Sequence, residues 1–258
     1  MMDQTEETST ADPTVDSVRD FWESHVNNEY YTGNTRGSES YFDEIERRRF
    51  RWHYHLADYF ARQQDSAGRL LEIGCGIGVD SIQLAKCGFD VTAVDLTETA
   101  IEVAREYARF RDQDIDFQVG NSEGLDFDDE SFDTVYSFGV LHHTPDIDAA
   151  IAEVRRVLKP GGTADIMLYH KHSIVNFVHR AFDLPYESPR NLKDHCPVVN
   201  TYTKDEARDL FKGFSSVEIV ADYPFTYGFR YLTFWMPVVL QKALGKYLGW
   251  HLMIRARR

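Results

Sequence analysis

The stretch Leu70-Leu71-Glu72-Ile73-Gly74-Cys75-Gly76-Ile77-Gly78 decides the fold. A short apolar run ends in three glycines at intervals of two, and a helical segment, Val79 to Cys87, follows directly. This is the form of a buried strand that turns sharply into a helix. Glycine lets the backbone at such a turn come within contact distance of a ligand, and the free N–H groups of the helix start add a positive end.

On either side the same texture repeats. Apolar runs at Asp90 to Val94, Ile115 to Val119, Thr134 to Phe138 and Thr163 to Leu168 alternate with helical stretches at Glu98 to Arg109 and Ile147 to Leu158, the last stopped by Lys159-Pro160-Gly161-Gly162. Five βα-type units in about 100 residues predict an α/β, Rossmann-like doubly wound sheet. A capping signal at Thr203 opens a helix to about Lys212, ahead of strands at Val217 to Val220 and Trp250 to Ile254. That final pair lacks a clean crossover helix, so the sheet is expected to be mostly parallel with one antiparallel strand near the C-terminus. Before the sheet, Val15 to His25 and Ser40 to Ala61 have helical spacing and form a helical cap. The expected organisation is a disordered tail at 1–14, a cap or lid at 15–65, and one domain at 66–258 with an aromatic insertion at 222–248.

The spacing also discriminates between cofactors. A dinucleotide site needs Gly-x-Gly-x-x-Gly or Ala, whereas here the third glycine comes after a single intervening residue and Val79 holds the fingerprint position. Glu72 would repel a pyrophosphate and suits a ligand that carries an ammonium and a sulfonium. Asp95, at the end of the second strand, has the placement of an acid that accepts both ribose hydroxyls, or of a helix N-cap.

At this point the sequence resembles the class I S-adenosylmethionine-dependent methyltransferases, of the small-molecule type close to the ubiquinone and menaquinone biosynthesis branch. The resemblance rests on Glu72 to Gly78, Val94-Asp95, Gly120 to Phe127 followed by Ser131 to Val135, Gly139 to Asp146, and Leu158 to Gly162. It implies S-adenosyl-L-methionine as cofactor, lined by Glu72, Gly74, Cys75, Gly76 and Gly78, with Asp95 on the ribose and Leu96 on the adenine. It further implies that Asn121 and Ser122 read the adenine edge and that Ser137 and Phe138 border the methionine part. The family often has Asp where Asn121 stands.

Methyl transfer from a sulfonium disperses charge, so alignment and exclusion of water supply most of the acceleration, and a base is needed only for a protonated acceptor. His142 and His143 follow the fourth strand, and Tyr169 the fifth, at the sheet edge where ligands bind. His143 is the first choice of catalytic base, then Tyr169, with His142 beside them or packing a loop. O-methylation is therefore preferred to N- or C-methylation. Their spacing is not that of metal ligands, so no metal is expected. Tyr31 and Arg36, in a loop between the cap helices, are placed to close over the methionine end of the cofactor. Tyr223, Phe225, Tyr227, Phe229 and Tyr231 alternate, and an extended segment would put all five on one face, as core or as an aromatic acceptor pocket. The rivals are a non-catalytic cofactor-binding protein of this fold and, more remotely, an NAD-dependent oxidoreductase.

Composition narrows the partners. The 258 residues carry a net charge of −14, which disfavours a nucleic-acid groove and favours a small-molecule acceptor. The three cysteines are widely spaced and suit a reducing compartment. The acidic N-terminus lacks an apolar run, and no stretch reaches the roughly 18 apolar residues of a membrane span, so a cytoplasmic protein is expected. Composition leaves the oligomeric state open. The charge is uneven, however: Phe229 to Arg258 holds six bases and no acid, so the remainder sums to −20. This basic segment is expected either to face an anionic acceptor or to make a weak membrane-surface contact.

Overall fold

In the computed structural model the residues described are 13–26, 32–187, 195–225 and 235–258. Seven strands, β1 (Arg69–Ile73), β2 (Asp90–Asp95), β3 (Asp116–Val119), β4 (Phe132–Phe138), β5 (Leu158–Tyr169), β6 (Ser216–Asp222) and β7 (His251–Arg257), form one sheet in the order β3-β2-β1-β4-β5-β7-β6. The pairs β1–β2, β1–β4, β2–β3 and β4–β5 are parallel. β7 inserts between β5 and β6 and is antiparallel to both, so β6 runs with the rest. The strand order reverses between β1 and β4, which opens a crevice at their carboxyl ends.

Adjacent residues of β1 serve opposite faces, as the continuous apolar run predicts for a sheet covered on both sides. Leu71 and Ile73 join a core with Val135, Ile166, Leu252 and Ile254 under α6 (Ile147–Val157) and α8 (Lys204–Leu210). Leu70 faces the other way and packs with Leu56, Tyr59 and Phe60 of α3 (Tyr54–Arg62), Leu84 of α4 (Val79–Lys86) and Ile101 of α5 (Glu98–Phe110).

The N-terminal part holds α1 (Val15–Ser24) and α2 (Glu39–Trp52). Thr14 and Ser17 cap α1 reciprocally, so the helix starts directly after Thr14, the last residue of the stretch expected to be a tail. Phe42 of α2 stacks on Tyr107 of α5 at 4.5 Å, which fixes α2 to the sheet domain. The single helix expected over Ser40 to Ala61 is two, broken at His53 (φ −100°, ψ 65°). The buried His53 ring stacks on Tyr223 at 5.1 Å, so packing overrides the helical spacing at that residue.

Two helices escape the sequence reading, α7 (Ile174–Ala181) and α9 (Val238–Leu248), and α9 fills the connection between β6 and β7. At its described start the aromatic alternation is not strand, since β6 ends at Asp222 and Tyr223 has φ +58°. Tyr223 and Phe225 are buried, while Tyr227, Phe229 and Tyr231 lie outside the described residues. β5 begins earlier than expected, at Leu158, and runs through Lys159 to Gly162 with a register shift opposite Phe132 and Thr134.

Replacing Leu252, fully buried near the start of β7, by Ala should cost about 2–5 kcal/mol of stability, from lost transfer free energy and the cavity left behind. Urea unfolding followed by circular dichroism measures it, and a loss below about 1 kcal/mol would show that the core relaxes around β7.

Candidate functional site

The end of β2 holds the turn after β1. The N–H groups of Gly74 and Cys75 both donate to the Val94 carbonyl, at 2.7 and 3.0 Å. Gly76 N–H donates to Asp95 Oδ2 at 2.8 Å. Gly74 has φ +76°, and a Cβ there would lie 2.1 Å from Val140, so only glycine fits between the strand end and the β4 loop. At Gly76 a Cβ would meet nothing within 4 Å, because the residue borders an open cleft. Gly78 faces away from that cleft: its Cβ would meet Ala104 and Phe117 at 3.2 Å, and it is the start of α4 packed against α5 and β3.

The cleft lies over the crevice between β1 and β4. Its walls are Gly74, Gly76, Asp95, Leu96, Asn121 and Ser122 on one side and Phe138, Val140 and His143 on another. A third wall comes from α1, through Val18 and Trp22. The cleft encloses about 120 Å³. Asp95 Oδ1 accepts from the N–H and hydroxyl of Thr97, at 3.0 and 2.8 Å, so the carboxylate is oriented before any ligand arrives. Burial raises its pKa, against these three hydrogen bonds, which favour the charged form. Asn121 Oδ1 accepts from Glu123 N–H at 3.1 Å and so shapes the loop that lines the cleft after β3. A fixed carboxylate, glycines that leave room at the backbone and apolar walls fit a ligand with a hydroxylated ring and a flat heterocycle.

Several expected residues stand outside this cleft. Glu72 is buried behind the glycine loop, where the Ser81 hydroxyl donates to it. Burial, and then the neighbouring Asp80 carboxylate, push its pKa up to about 8. Cys75 packs into the core beneath the loop, and burial raises its thiol pKa. Ser137 is buried and donates to the Ile73 carbonyl at 2.9 Å, bridging β4 to β1. Arg36 is exposed, and its guanidinium donates to the Thr99 carbonyl in α5 at 3.4 Å. Tyr31 lies outside the described residues.

α2 is tied to the site by charge. Arg49 of α2 makes a two-point contact with Asp80 of α4, at 3.0 and 2.5 Å, and Tyr136 donates to the same carboxylate at 2.8 Å. The Arg49 guanidinium lies 4.4 Å from the Phe138 ring centroid, so one side chain joins the lid, the glycine-loop helix and the cleft wall.

The three expected catalytic residues are neighbours but not equivalent. His143 lines the cleft, and its Nδ1 lies 2.7 Å from the Val198 carbonyl. A proton on Nδ1 serves that bond and leaves the basic lone pair on Nε2. Burial lowers its pKa, so the ring is neutral at pH 7. His142 is fully buried, its ring 3.7 Å from Tyr169 and 4.2 Å from His143 by centroids, and burial lowers its pKa still further. Tyr169 also stacks on Trp250 at 4.1 Å and donates to Glu187 at 2.5 Å. Neither His142 nor Tyr169 is part of the cleft lining.

A second group of histidines was not visible in the sequence. His53, His55 and His251 are buried together at the same sheet edge with Phe138 and Tyr223. His251 Nδ1 lies 3.3 Å from His55 Nε2. Burial holds His55 down to about 3, and His53 and His251 are likewise neutral. These residues are up to 198 positions apart, and no local spacing connects them. Below Phe138 a second cavity runs along the sheet under α3, past Met167 and Met253 to the Asp165–Arg255 ion pair.

Residues 71–165 match the methyltransferase domain family. The chain is 39% identical over 107 residues to the ubiquinone biosynthesis O-methyltransferase of Xanthomonas oryzae pv. oryzae, covering 41% of this chain and 45% of that protein. It is 42% identical over 105 residues to the ubiquinone/menaquinone biosynthesis C-methyltransferase UbiE of Rhodopseudomonas palustris, covering 38% and 41%. The matched region spans less than half the length of these curated relatives. Among solved structures, a SAM-dependent methyltransferase of Thermotoga maritima superposes with a TM-score of 0.62 at 20% identity, over 93% of this chain and 99% of that one, a likeness of fold. The matched family and these proteins are all methyltransferases by name, in keeping with the expected S-adenosyl-L-methionine.

Glu72 yields a pH dependence of stability. Its pKa is about 8 in the folded chain against an ordinary 4.5, so between these values only the folded form holds the proton. The stabilisation is complete below about pH 4.5, falls as pH rises toward 8 and is gone above it. Glu72→Gln mimics the protonated form, so its melting temperature should match the parent's near pH 5 and exceed it at pH 8.5. A difference that does not change with pH would contradict this assignment.

Proposed function

We propose that this chain, which carries a class I S-adenosylmethionine-dependent methyltransferase domain, transfers a methyl group to a small, hydrophobic, aromatic acceptor, with O-methylation favoured over C- or N-methylation. The observation that carries the reading is that a single cleft contains both Asp95, set by the glycine loop, and a neutral His143 with its basic nitrogen on Nε2. The enzyme is read as cytoplasmic, where Cys75, Cys87 and Cys196, all buried and unpaired as disulfides, stay reduced.

In this reading Asp95 accepts hydrogen bonds from the ribose hydroxyls, Gly74 and Gly76 leave room for the backbone approach, and Leu96, Asn121 and Ser122 hold the adenine. Phe138 borders the methionine part and separates it from the second cavity. Glu72 acts behind the loop through Ser81 and contributes its charge state without contact. S-adenosylmethionine, when bound, supplies an electrophilic methyl group on a sulfonium. Trp22, Val18 and Val140 keep water from the cleft, and an apolar environment favours a reaction in which charge disperses. His143 Nε2 accepts the acceptor's proton, and the Val198 carbonyl, bonded to Nδ1–H, stabilises the imidazolium that results.

The relatives' names include both an O- and a C-methyltransferase of quinone biosynthesis, which supports a phenolic or quinol-type ring as the acceptor class. The base at His143 favours oxygen, since a phenol must lose its proton as it is methylated. Mass spectrometry of a cell extract incubated with the enzyme and methyl-labelled cofactor tests the reading directly. Cofactor binding without label transfer to any extract component would favour a non-catalytic protein of the same fold.

Two variants separate the roles. Asp95→Ala should weaken binding of S-adenosylhomocysteine tenfold or more by calorimetry, and Asp95→Asn, which keeps one oxygen for the loop, should weaken it less. Unchanged affinity in both would remove the ribose assignment. His143→Asn keeps a donor toward Val198 but removes the base, so kcat should fall by about 100-fold or more while cofactor affinity changes by less than about threefold. Because burial lowers the His143 pKa, the parent should keep its activity down to below pH 6.5, and a pH–rate profile that loses its acidic limb in the variant would identify the group.

A further inference from the structure

A surface helix normally buries an apolar stripe and shows polar residues to water. α9 is built the other way round. It turns Gln241, 3% exposed, and Gly245 inward, and its outward residues include Val238, Val239, Leu240, Leu244, Tyr247 and Leu248. Val239 and Tyr247 are each 77% exposed, and Trp235, just ahead of the helix, is 78% exposed. The inward face is held by close backbone approach. A Cβ on Gly245 would lie 2.9 Å from the Asp222 carboxylate, and one on Gly249 would lie 2.2 Å from the Asp222 carbonyl oxygen. Gln241 donates to the Met236 carbonyl at 2.8 Å. The orientation is therefore fixed by packing and cannot be reversed by rotating the helix.

The segment that contains this face carries charge of one sign. No acidic residue occurs from Trp235 to Arg258, while Lys242 and Lys246 stand on α9 itself, in a chain whose net charge is −14. Lys242 reaches Asp58 of α3, and Lys204 reaches the Lys246 carbonyl at 3.3 Å, which adds a third ammonium to the end of the helix. α7 adds Phe177 and Phe182, both 71% exposed, and the segment leading into it is bonded to the end of α9 through His170 Nδ1 and the Gly249 carbonyl at 2.8 Å. Among the described residues no helix is long and apolar enough to cross a membrane. The 11 residues of α9 span about 16 Å, enough to lie within an interface. Trp235 and Tyr247, toward its two ends, are residue types that settle at the boundary between headgroups and acyl chains.

We propose that α9 docks on an anionic lipid bilayer, with its apolar face among the acyl chains and its lysines at the headgroups. The proposal rests on exposure and charge, independently of the methyl-transfer reading, to which it adds a surface from which a lipophilic acceptor is drawn. The test is cosedimentation of the full chain with vesicles of phosphatidylglycerol and phosphatidylcholine, and with pure phosphatidylcholine, at low and high salt. Binding is expected on the anionic vesicles at low salt and should weaken as salt rises. Val239→Ser, Leu240→Ser and Tyr247→Ser together should reduce partitioning tenfold or more with an unchanged melting temperature, since all three side chains are exposed. Lys246→Ala should reduce it by about fivefold. Failure of the parent chain to sediment with anionic vesicles would overturn the proposal. So would a parent dimer that the triple variant converts to a monomer without any vesicle binding, because the face would then belong to a second copy.

Discussion

The cleft depends on how the end of β2 holds the turn after β1. The Val94 carbonyl takes two loop N–H groups and the Asp95 carboxylate takes a third, so two consecutive residues of one strand set the path of the next. The turn admits no side chain at Gly74, where Val140 already occupies the space. Consequently the loop after β1, the end of β2 and the loop after β4 form a single unit. Asp95 both shapes the cleft and faces it, with one oxygen taken by the glycine loop and the other by Thr97.

Behind this turn lies a compact set of buried charges. Glu72 has no cation in direct contact and is raised in pKa, whereas Asp80 is paired with Arg49 and bonded by Tyr136. Two carboxyls so close together are accommodated because one is neutral and the other compensated. The arrangement gives Arg49 a connecting role that no motif announces: it is the point at which the lid, the helix after the glycine loop and the aromatic wall at Phe138 meet.

What could be read in the sequence was what local rules control. The strands of the parallel half, the helices α4, α5 and α6, the capping box at Thr203 and the antiparallel placement of one late strand follow from periodicity, glycine and turn chemistry. Of the expected site residues, Gly74, Gly76, Asp95, Leu96, Asn121, Ser122, Phe138 and His143 are brought to one cleft. Glu72, Cys75, Gly78, Ser137, His142, Tyr169 and Arg36 stand elsewhere, because a motif specifies which residues are near a turn and not which way each side chain points. The histidine group at His53, His55 and His251 arises only because β7 inserts between β5 and β6 and a broken helix brings α3 over its end. α9 was missed for a different reason: its inward face is Gln241, Gly245 and Gly249, so apolar periodicity points to the wrong side.

α1 belongs both to the N-terminal helices and to the cleft. It furnishes one wall of the cleft through Val18 and Trp22, and its Glu23 carboxylate accepts the N–H and hydroxyl of Thr99 in the first turn of α5, where the helix dipole favours an anion. The helix is thus attached at one end by these bonds and along its length by packing, with Val18 and Phe21 buried and the Trp22 ring 5.3 Å from that of His143. A ligand that touches α1 strengthens the attachment of that helix, and the attachment strengthens ligand binding by the same factor. A wall that belongs to the lid makes affinity a property of the N-terminal helix as much as of the glycine loop.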